Sequence, residues 1–462
     1  MVRRRETAFA VAVAVLLVAG TATAATVGRT SGGVDRAVDF DPASAHVPAV
    51  TPPTADGVAT VDGERFDALP AALAAADPGE TVRLRGRFEG VDGPVRVTTP
   101  GVTLRGVSGY AVVSGGGEGT VLRVDAPNVT LDRLWVRDSG YQASRNDAGI
   151  WLNGTNATVV DSRVTNVTFG IWINGVRSAR IDDTTIVGRE SVRPLSNRGN
   201  GIQLWRADGA VVTDTRITDV RDGLYFSWTS GARARNNTMW DLRYGVHYMY
   251  SDRCRLVNNT AFNNDVGYAL MVSEDLTLRG NRAVNNTGRS GHGILLKSVD
   301  YSTIRGNDLV GNDNGLYVYN SLHNTFRGNL ILENRVGVHL TAGSVRERVF
   351  NNTFVANGVP VKAVIGELVA WNESGRGNYW AAARTVDLDD DGVSDVPYRP
   401  AGLVQRLVQQ RPAVAVFAHS PAFRAISTAE RSLPVVRTPG VIDRKPLVNP
   451  PAARWREYYD QD

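Results

Sequence analysis

Residues 223–271 read GLYFSWTSGARARNNTMWDLRY-GVHYMYSDRCRLVNNTAFNNDV-GYALM, the two breaks marking where one pattern starts again. Gly223, Gly245 and Gly267 are 22 residues apart, and Gly201 stands one period upstream. After a step of 26 comes Gly293, then Gly315 and Gly337 at 22 again, with Val359 holding the place one period later. Gly149 and Gly170 open similar segments, Gly-Ile-Trp-Leu and Gly-Ile-Trp-Ile, before a step of 31. Self-similarity at a fixed period means stacked supersecondary units, none of which buries its own core without neighbours. A 22-residue unit rich in Val, Ile, Thr, Gly and Asn predicts an all-β fold, a right-handed parallel β-helix over residues 57–370 with one rung per period.

Numbering from each glycine shows what a rung contains. The first position holds Ile202, Leu224, Val246, Tyr268, Ile294, Leu316 and Val338, and the third Leu204, Phe226, Tyr248, Leu270, Leu296, Val318 and Leu340. Strand side chains alternate faces, so both columns point into the coil and stack along its axis at about 4.8 Å per rung. Fourteen residues after the glycine stand Asn237, Asn259, Asn281, Asn307, Asn329 and Asn351, one amide per rung. Such a column predicts an asparagine ladder in a turn, with a second, shorter one at Asn264, Asn312 and Asn334. Several of these stretches also read Asn-x-Thr, and ladder chemistry accounts for them without glycans.

The ends and composition bound the rest. A charged start, Arg3 to Arg5, an apolar run from Ala8 to Val18 and small residues to Ala25 have the form of a secretory signal over 1–25, cleaved or kept as an anchor. Residues 26–56 are expected to be a flexible leader, and Phe66 to Ala76 a short helix capping the open end of the coil. The single cysteine, Cys254, leaves no internal disulfide framework. Formal charge is +4 and the arginines look scattered, which points to neither nucleic acid nor an acidic membrane as partner.

The outward columns carry the candidate function. The second position holds Trp151, Trp172, Gln203, Tyr225, His247, Ala269, Leu295, Tyr317 and His339; the fourth holds Trp205, Ser227, Met249, Met271, Lys297, Tyr319 and Thr341. So much aromatic and thioether surface marks a binding face for a partner, unless loops or the C-terminal segment fold over it. His247 and Met249 share one side of a strand, and Met271 is one period above Met249. Two thioethers beside an imidazole suit Cu(I), which prefers sulfur; the same residues also suit an adaptable contact patch. His292 is a further candidate in a different column.

A different grammar begins after residue 370, in an expected capping or docking module over 371–462. Asp387, Asp389, Asp391, Gly392 and Asp395 fit positions 1, 3, 5, 6 and 9 of a calcium loop, although position 12 is Tyr398 in place of the usual Glu. The alternative is a solvated acidic turn. Leu403, Val404, Leu407 and Val408, then Val414, Val416, Phe417, Phe423 and Ile426, suggest two short helical segments.

The runs Gly245-Val-His-Tyr-Met-Tyr-Ser251, Gly267-Tyr-Ala-Leu-Met271, His292-Gly-Ile-Leu-Leu-Lys297 and Gly337-Val-His-Leu-Thr-Ala-Gly343 resemble the NosD family. So do Gly377-Asn-Tyr-Trp380, the stretch from Asp387 to Tyr398 and the tail around Ser420-Pro421 and Pro434-Val435-Val436, so that the resemblance spans roughly residues 60 to 450. It implies an exported β-helix protein, periplasmic or on the cell surface, that assists copper-centre assembly in nitrous oxide reductase. Its implied partners are a membrane ATP-binding-cassette permease, a copper chaperone and the apo reductase, and it strengthens Cu(I) contact at His247, Met249 and Met271. Where the family commonly has a glycine in the calcium loop, this chain has Asp390.

Two functions therefore compete. One is a non-catalytic assembly factor whose partners bind the aromatic face. The other is a secreted polysaccharide lyase, hydrolase or epimerase on the same fold. Sugar chemistry needs carboxylates facing a groove, and the second and fourth columns from Gly201 to Gly337 contain none. A surface adhesin with a β-helix stalk is a third, blander reading.

Overall fold

Each period carries three short strands separated by corners, as in Ile202–Trp205, Val211–Thr213 and Arg216–Thr218, before Asp222–Ser227 opens the next rung. Like strands of successive rungs pair, giving sheets of 12, 14 and 13 strands, here sheets I, II and III in the order in which a rung visits them. The computed structural model describes residues 40, 42, 45–90, 93–400, 407, 411–417, 420–423, 425, 426, 439–452 and 454–459. The expected signal over 1–25 lies outside them, as do Leu403, Val404 and Val408. Pairing in the three sheets is parallel except at the N-terminal end, where Val58–Val61 runs antiparallel to Glu64–Phe66 and Thr81–Arg85. The fold is the all-β parallel β-helix that the glycine period predicts.

The inward columns fall where alternation places them: Ile202, Leu224, Val246, Tyr268 and Ile294, and Leu204, Phe226, Tyr248, Leu270 and Leu296, are all fully buried. The irregular steps are corner insertions. The four extra residues before Gly293 lie between Asn286 and His292, because Val266 pairs with His292 and Asn286 bonds Asn312, each 26 residues on. A one-residue insertion in the turn after Leu340 has two consequences. Val336 pairs with Val359 and Val338 with Val361, so Pro360, not Val359, takes the glycine's place. The ladder likewise passes through Asn352 and not Asn351.

That ladder runs Asn237, Asn259, Asn281, Asn307, Asn329, Asn352 and Asn378. In each step one Oδ1 accepts from both the backbone N–H and the Nδ2 of the asparagine one rung earlier, at 3.1 and 2.8 Å from Asn237 to Asn259. Nδ2 also donates to a carbonyl of the earlier rung, as from Asn259 to Ala234. The second ladder is longer than the sequence suggests, running Asn264, Asn286, Asn312, Asn334 and Asn357.

The two ends are sealed differently. At the N-terminal end the helix Leu69–Ala75, started by Pro70 in its first turn, buries Leu69, Ala72 and Leu73 over the core. At the other end Asp443 terminates the ladder: its carboxylate accepts from the Asn378 N–H at 2.7 Å and from Trp380 Nε1 at 2.9 Å. Gly377 is required there, since a Cβ would lie 1.9 Å from an Asp443 oxygen. Tyr379–Trp380 adds the last strand of sheet III, and Trp380 stacks on Phe354 at 4.0 Å. The outer face of sheet III carries Trp240, Phe262, Val284, Val310 and Leu332, covered by Phe40, Ala45 and Val47 of the expected leader and by Trp455 and Tyr458. The leader is thus anchored at these residues, because an outward apolar stripe needs a cover.

The arginines are not scattered in space. Arg279, Arg305 and Arg327 stand in register on sheet II, because their sequence intervals equal one rung.

Alanine at Asn352 removes the acceptor for two buried donors of Asn329, and each buried orphan donor costs about 1–3 kcal/mol. Asn352→Ala is expected to destabilise the chain by about 3 kcal/mol in chemical unfolding, whereas Asn351→Gly changes it by less than about 0.5 kcal/mol. Equal effects would contradict the observed ladder.

Candidate functional site

The glycines of sheet I point inward. A Cβ on Gly245 would lie 2.7 Å from the Gly267 carbonyl oxygen and 2.8 Å from the Ala261 methyl, so close packing at this corner excludes larger residues. The residue after each glycine also points inward, so alternation breaks at the corner and the residue before the glycine turns outward. This adds a column that strict period-2 reading misses: Asp222, Tyr244, Val266, His292 and Asn314, in register across adjacent strands. It lies beside the second column, where Tyr225, His247, Ala269, Leu295, Tyr317 and His339 pair successively as expected.

The two columns meet most closely at His247. Asp222 is fully buried and accepts from Arg243 Nε at 2.8 Å and Nη2 at 2.6 Å. Its Oδ2 also lies 3.0 Å from His247 Nδ1. Burial alone would raise this carboxyl's pKa, but the hydrogen bonds of His247 and Arg243 and the guanidinium charge outweigh it and hold the group below its ordinary value. Ionised Asp222 accepts a proton from Nδ1, and in the tautomer that this bond selects the lone pair lies on Nε2. That nitrogen is buried and has no hydrogen-bond partner among the described residues. Tyr225 stacks on the ring at 4.4 Å and Tyr244 meets it edge-on at 5.1 Å. The imidazole is therefore fixed in tautomer and orientation.

Met249 and Met271 are register partners on adjacent strands, two residues along from His247 and Ala269. Both are half-buried, and Met271 packs against Val266, Ala269 and Leu295. The only cysteine is no rival ligand: Cys254 is buried and its thiol is pushed up to about 12, chiefly by burial.

The expected partner face is open at its ends and closed in its middle. Trp151 and Trp172 stack at 4.9 Å, nearly parallel at 2°. Trp205, beneath Arg206, and Tyr225 and His339 are half-buried, and Tyr319 is 45 % exposed. Gln203, His247, Ala269 and Leu295 are buried. Tyr317 bridges two histidines, stacking on His292 at 4.5 Å and meeting His339 edge-on at 4.8 Å. His292, from its different column, thus joins the face. Asp222 and Arg243 are not among the residues the columns single out; the signal for Asp222 is its place immediately before Gly223, and for Arg243 its place before Tyr244 in the next rung.

In the acidic loop, ligand atoms of Asp387, Asp389 and Asp391 lie within 4.8 Å of one another, and Asp395 stands outside this group. Asp387 accepts from the N–H groups of Asp391 and Gly392, and Asp395 from that of Leu388. Asp390 adopts φ 58°, a left-handed conformation that aspartate tolerates.

Among the described residues no helix is long and apolar enough to cross a membrane. The family model described as "Periplasmic copper-binding protein (NosD)" matches residues 182–384. A Pseudomonas aeruginosa protein named "Probable ABC transporter binding protein NosD" is 38% identical over 419 residues, covering 87% of this chain and 95% of that one. A Stutzerimonas stutzeri protein of the same name is 35% identical over 361 residues, covering 74% and 82%. Among solved structures, the A-module of the Azotobacter vinelandii mannuronan C-5 epimerase AlgE6 aligns with 64% of this chain and 89% of its own. With a TM-score of 0.43 and 17% identity, that likeness carries no argument about chemistry. Identity of this level across most of both chains, with the family's strand and tail motifs in place, makes this chain a member of the NosD family.

Proposed function

We propose that this chain is a non-catalytic, exported accessory protein for copper-centre assembly in nitrous oxide reductase. It presents Cu(I) at His247, Met249 and Met271 and docks through the flanking aromatic face. The observation that carries the reading is His247 Nε2: a buried, unpartnered lone pair on a ring held by a carboxylate, near two register-paired thioethers. A buried acceptor without a partner is unfavourable by about 1–3 kcal/mol, and a bound cation removes that penalty. The carboxylate behind the imidazole raises its basicity as a ligand, and the thioethers select a soft ion. A neutral ligand set holds Cu(I) without a thiolate, which suits transfer over storage.

The family's description as copper-binding, and the relatives' naming as ABC transporter binding proteins, support the same reading. The partners it requires are an ATP-binding-cassette permease, a copper chaperone and the apo reductase, with residues 1–25 as the export signal. The polysaccharide reading has less support, since Asp222, the carboxylate beside His247, is fully buried and engaged by Arg243 and His247. The proposal extends to Ca²⁺ at the acidic loop, where Asp387, Asp389 and Asp391 converge and Asp395 orders the backbone.

Two histidines of the docking face, His292 and His339, are held neutral. Burial pushes the His292 imidazole down to about 4. Burial, reinforced by the charges of Lys362, His292 and Arg335, does the same to His339, also to about 4. Because the unfolded chain takes up these protons first, near the ordinary value of about 6.5, their contribution to stability is complete above that pH. It is lost as pH falls towards about 4.

Cells lacking this gene are expected to export a reductase without its catalytic copper cluster. The intact gene restores it, and the Met249→Leu/Met271→Leu variant does not. With the purified chain, that variant and His247→Ala should each weaken Cu(I) binding at least tenfold in anaerobic chelator competition, with circular dichroism unchanged. Full rescue by the double variant would reject the copper strip. Tm should fall as pH drops from about 6.5 to about 4, and His292→Gln/His339→Gln should flatten that slope; an unchanged slope would contradict the assignment. Calcium should raise Tm, and Asp389→Asn/Asp391→Asn should abolish the rise; calcium with no effect on the unmodified chain would remove the loop as a site.

A further inference from the structure

Besides a copy at 198–200 outside the ladder, the tripeptide Arg-Gly-Asn occurs at four ladder steps, 279–281, 305–307, 327–329 and 376–378. The asparagines of these four belong to the ladder, their glycines sit at the corner and their arginines end strands of sheet II or, at Arg376, precede the last ladder step. Arg279, Arg305, Arg327 and Arg376 line one groove of about 470 Å³ with Gly306 and Gly328, and no carboxylate lines it. Nearby arginines are paired, Arg335 with Asp313, Arg348 with Glu373 and Arg454 with Asp308. These four form no ion pair among the described residues.

Gly306 and Gly328 hold the groove open without being required by the backbone. Gly280, Gly306 and Gly328 have φ near 65°, 62° and 63°, yet Asn236, Asn258 and Asn351 adopt the same left-handed conformation in the same column. A Cβ at Gly306 would meet nothing within 4 Å. Asparagine would fit, and its absence leaves room for a ligand to approach the main chain.

We propose that this groove binds an extended acidic polypeptide segment of a partner. Like charges stacked one rung apart repel, and guanidinium forks match carboxylates. The row is a single file, interrupted at Phe350, which pairs with Arg327 in register. Its four rung steps span roughly 19 Å, about six residues of extended chain. The neighbouring strand positions are the neutral Thr277, Thr303 and Thr325, and Asp275 and Asp300 lie beyond them. A bilayer or a duplex, charged over two dimensions, would meet those acids. The floor offers no ring on which sugars or bases stack, and Phe350 lies under Arg348. The His247 strip belongs to sheet I, so this binding stands or falls independently of copper.

The test is fluorescence anisotropy of a labelled hexaglutamate peptide with the full chain. Binding should weaken with salt and fall at least tenfold in Arg305→Gln/Arg327→Gln. It should fall similarly in Gly306→Asn/Gly328→Asn, which changes no charge and should leave Tm unaltered, while Met249→Leu/Met271→Leu should bind as the parent does. No peptide binding, equal binding by the groove variants, or tighter binding of a hexameric oligouronate, duplex DNA or phosphatidylglycerol vesicles would overturn the proposal.

Discussion

One hydrogen-bonded arrangement sets the rest: an asparagine Oδ1 that accepts both the main-chain and side-chain N–H of the asparagine one rung before it. Apolar stacking inside the coil is strong but has little direction, and a slip of one residue in any strand would turn its apolar set outward. The ladder removes that freedom, because each amide reaches its partner only when the rungs are in step. Met249 lies beside Met271, and Tyr225 beside His247, because the Asn237, Asn259 and Asn281 amides hold the intervening corners at equal height.

The parts of the molecule legible in the sequence are those that depend on periodicity. Inward columns, strand register and the Met249–Met271 pair follow from counting. What counting misses has a local cause. The glycine corner puts two consecutive residues inside, so Asp222 and His292, which simple alternation would point into the coil, turn to the outer side of the sheet, where His247 and Arg243 engage Asp222 and His292 stacks on Tyr317. One residue inserted after Leu340 moves the ladder from Asn351 to Asn352. The arginine row follows from the same counting, since Arg279, Arg305 and Arg327 are spaced by the same steps of 26 and 22 as Gly267, Gly293 and Gly315, but it is hidden among many other arginines when composition alone is considered. The cover over sheet III comes from residues more than a hundred positions away, for which no local pattern exists.

The binding face shows how a buried charge can be afforded beside an otherwise neutral surface. Asp222 stays ionised only because Arg243 grips both its oxygens and His247 donates to one of them. The neighbouring histidines, without such a carboxylate in contact, are neutral at physiological pH. One polar knot thus orients a single ring, and the aromatic and thioether surface around it keeps low polarity. The one cation in the thioether column, Lys297, is exposed and in register with Met271.

The ladder's terminus also has a temporal meaning. Asn378 meets Asp443, its acceptor, across 65 residues of chain. A chain entering a compartment from its N-terminal side can add rung upon rung, each completed turn templating the next. Throughout that growth the newest rung exposes donors and an apolar cross-section, the features that draw other chains into edge pairing. Only when residue 443 arrives does the advancing surface lose its appetite for another strand. Asp443 is a stop signal written in hydrogen bonds: it fixes the number of rungs and separates a finite coil from one that could recruit a neighbour's.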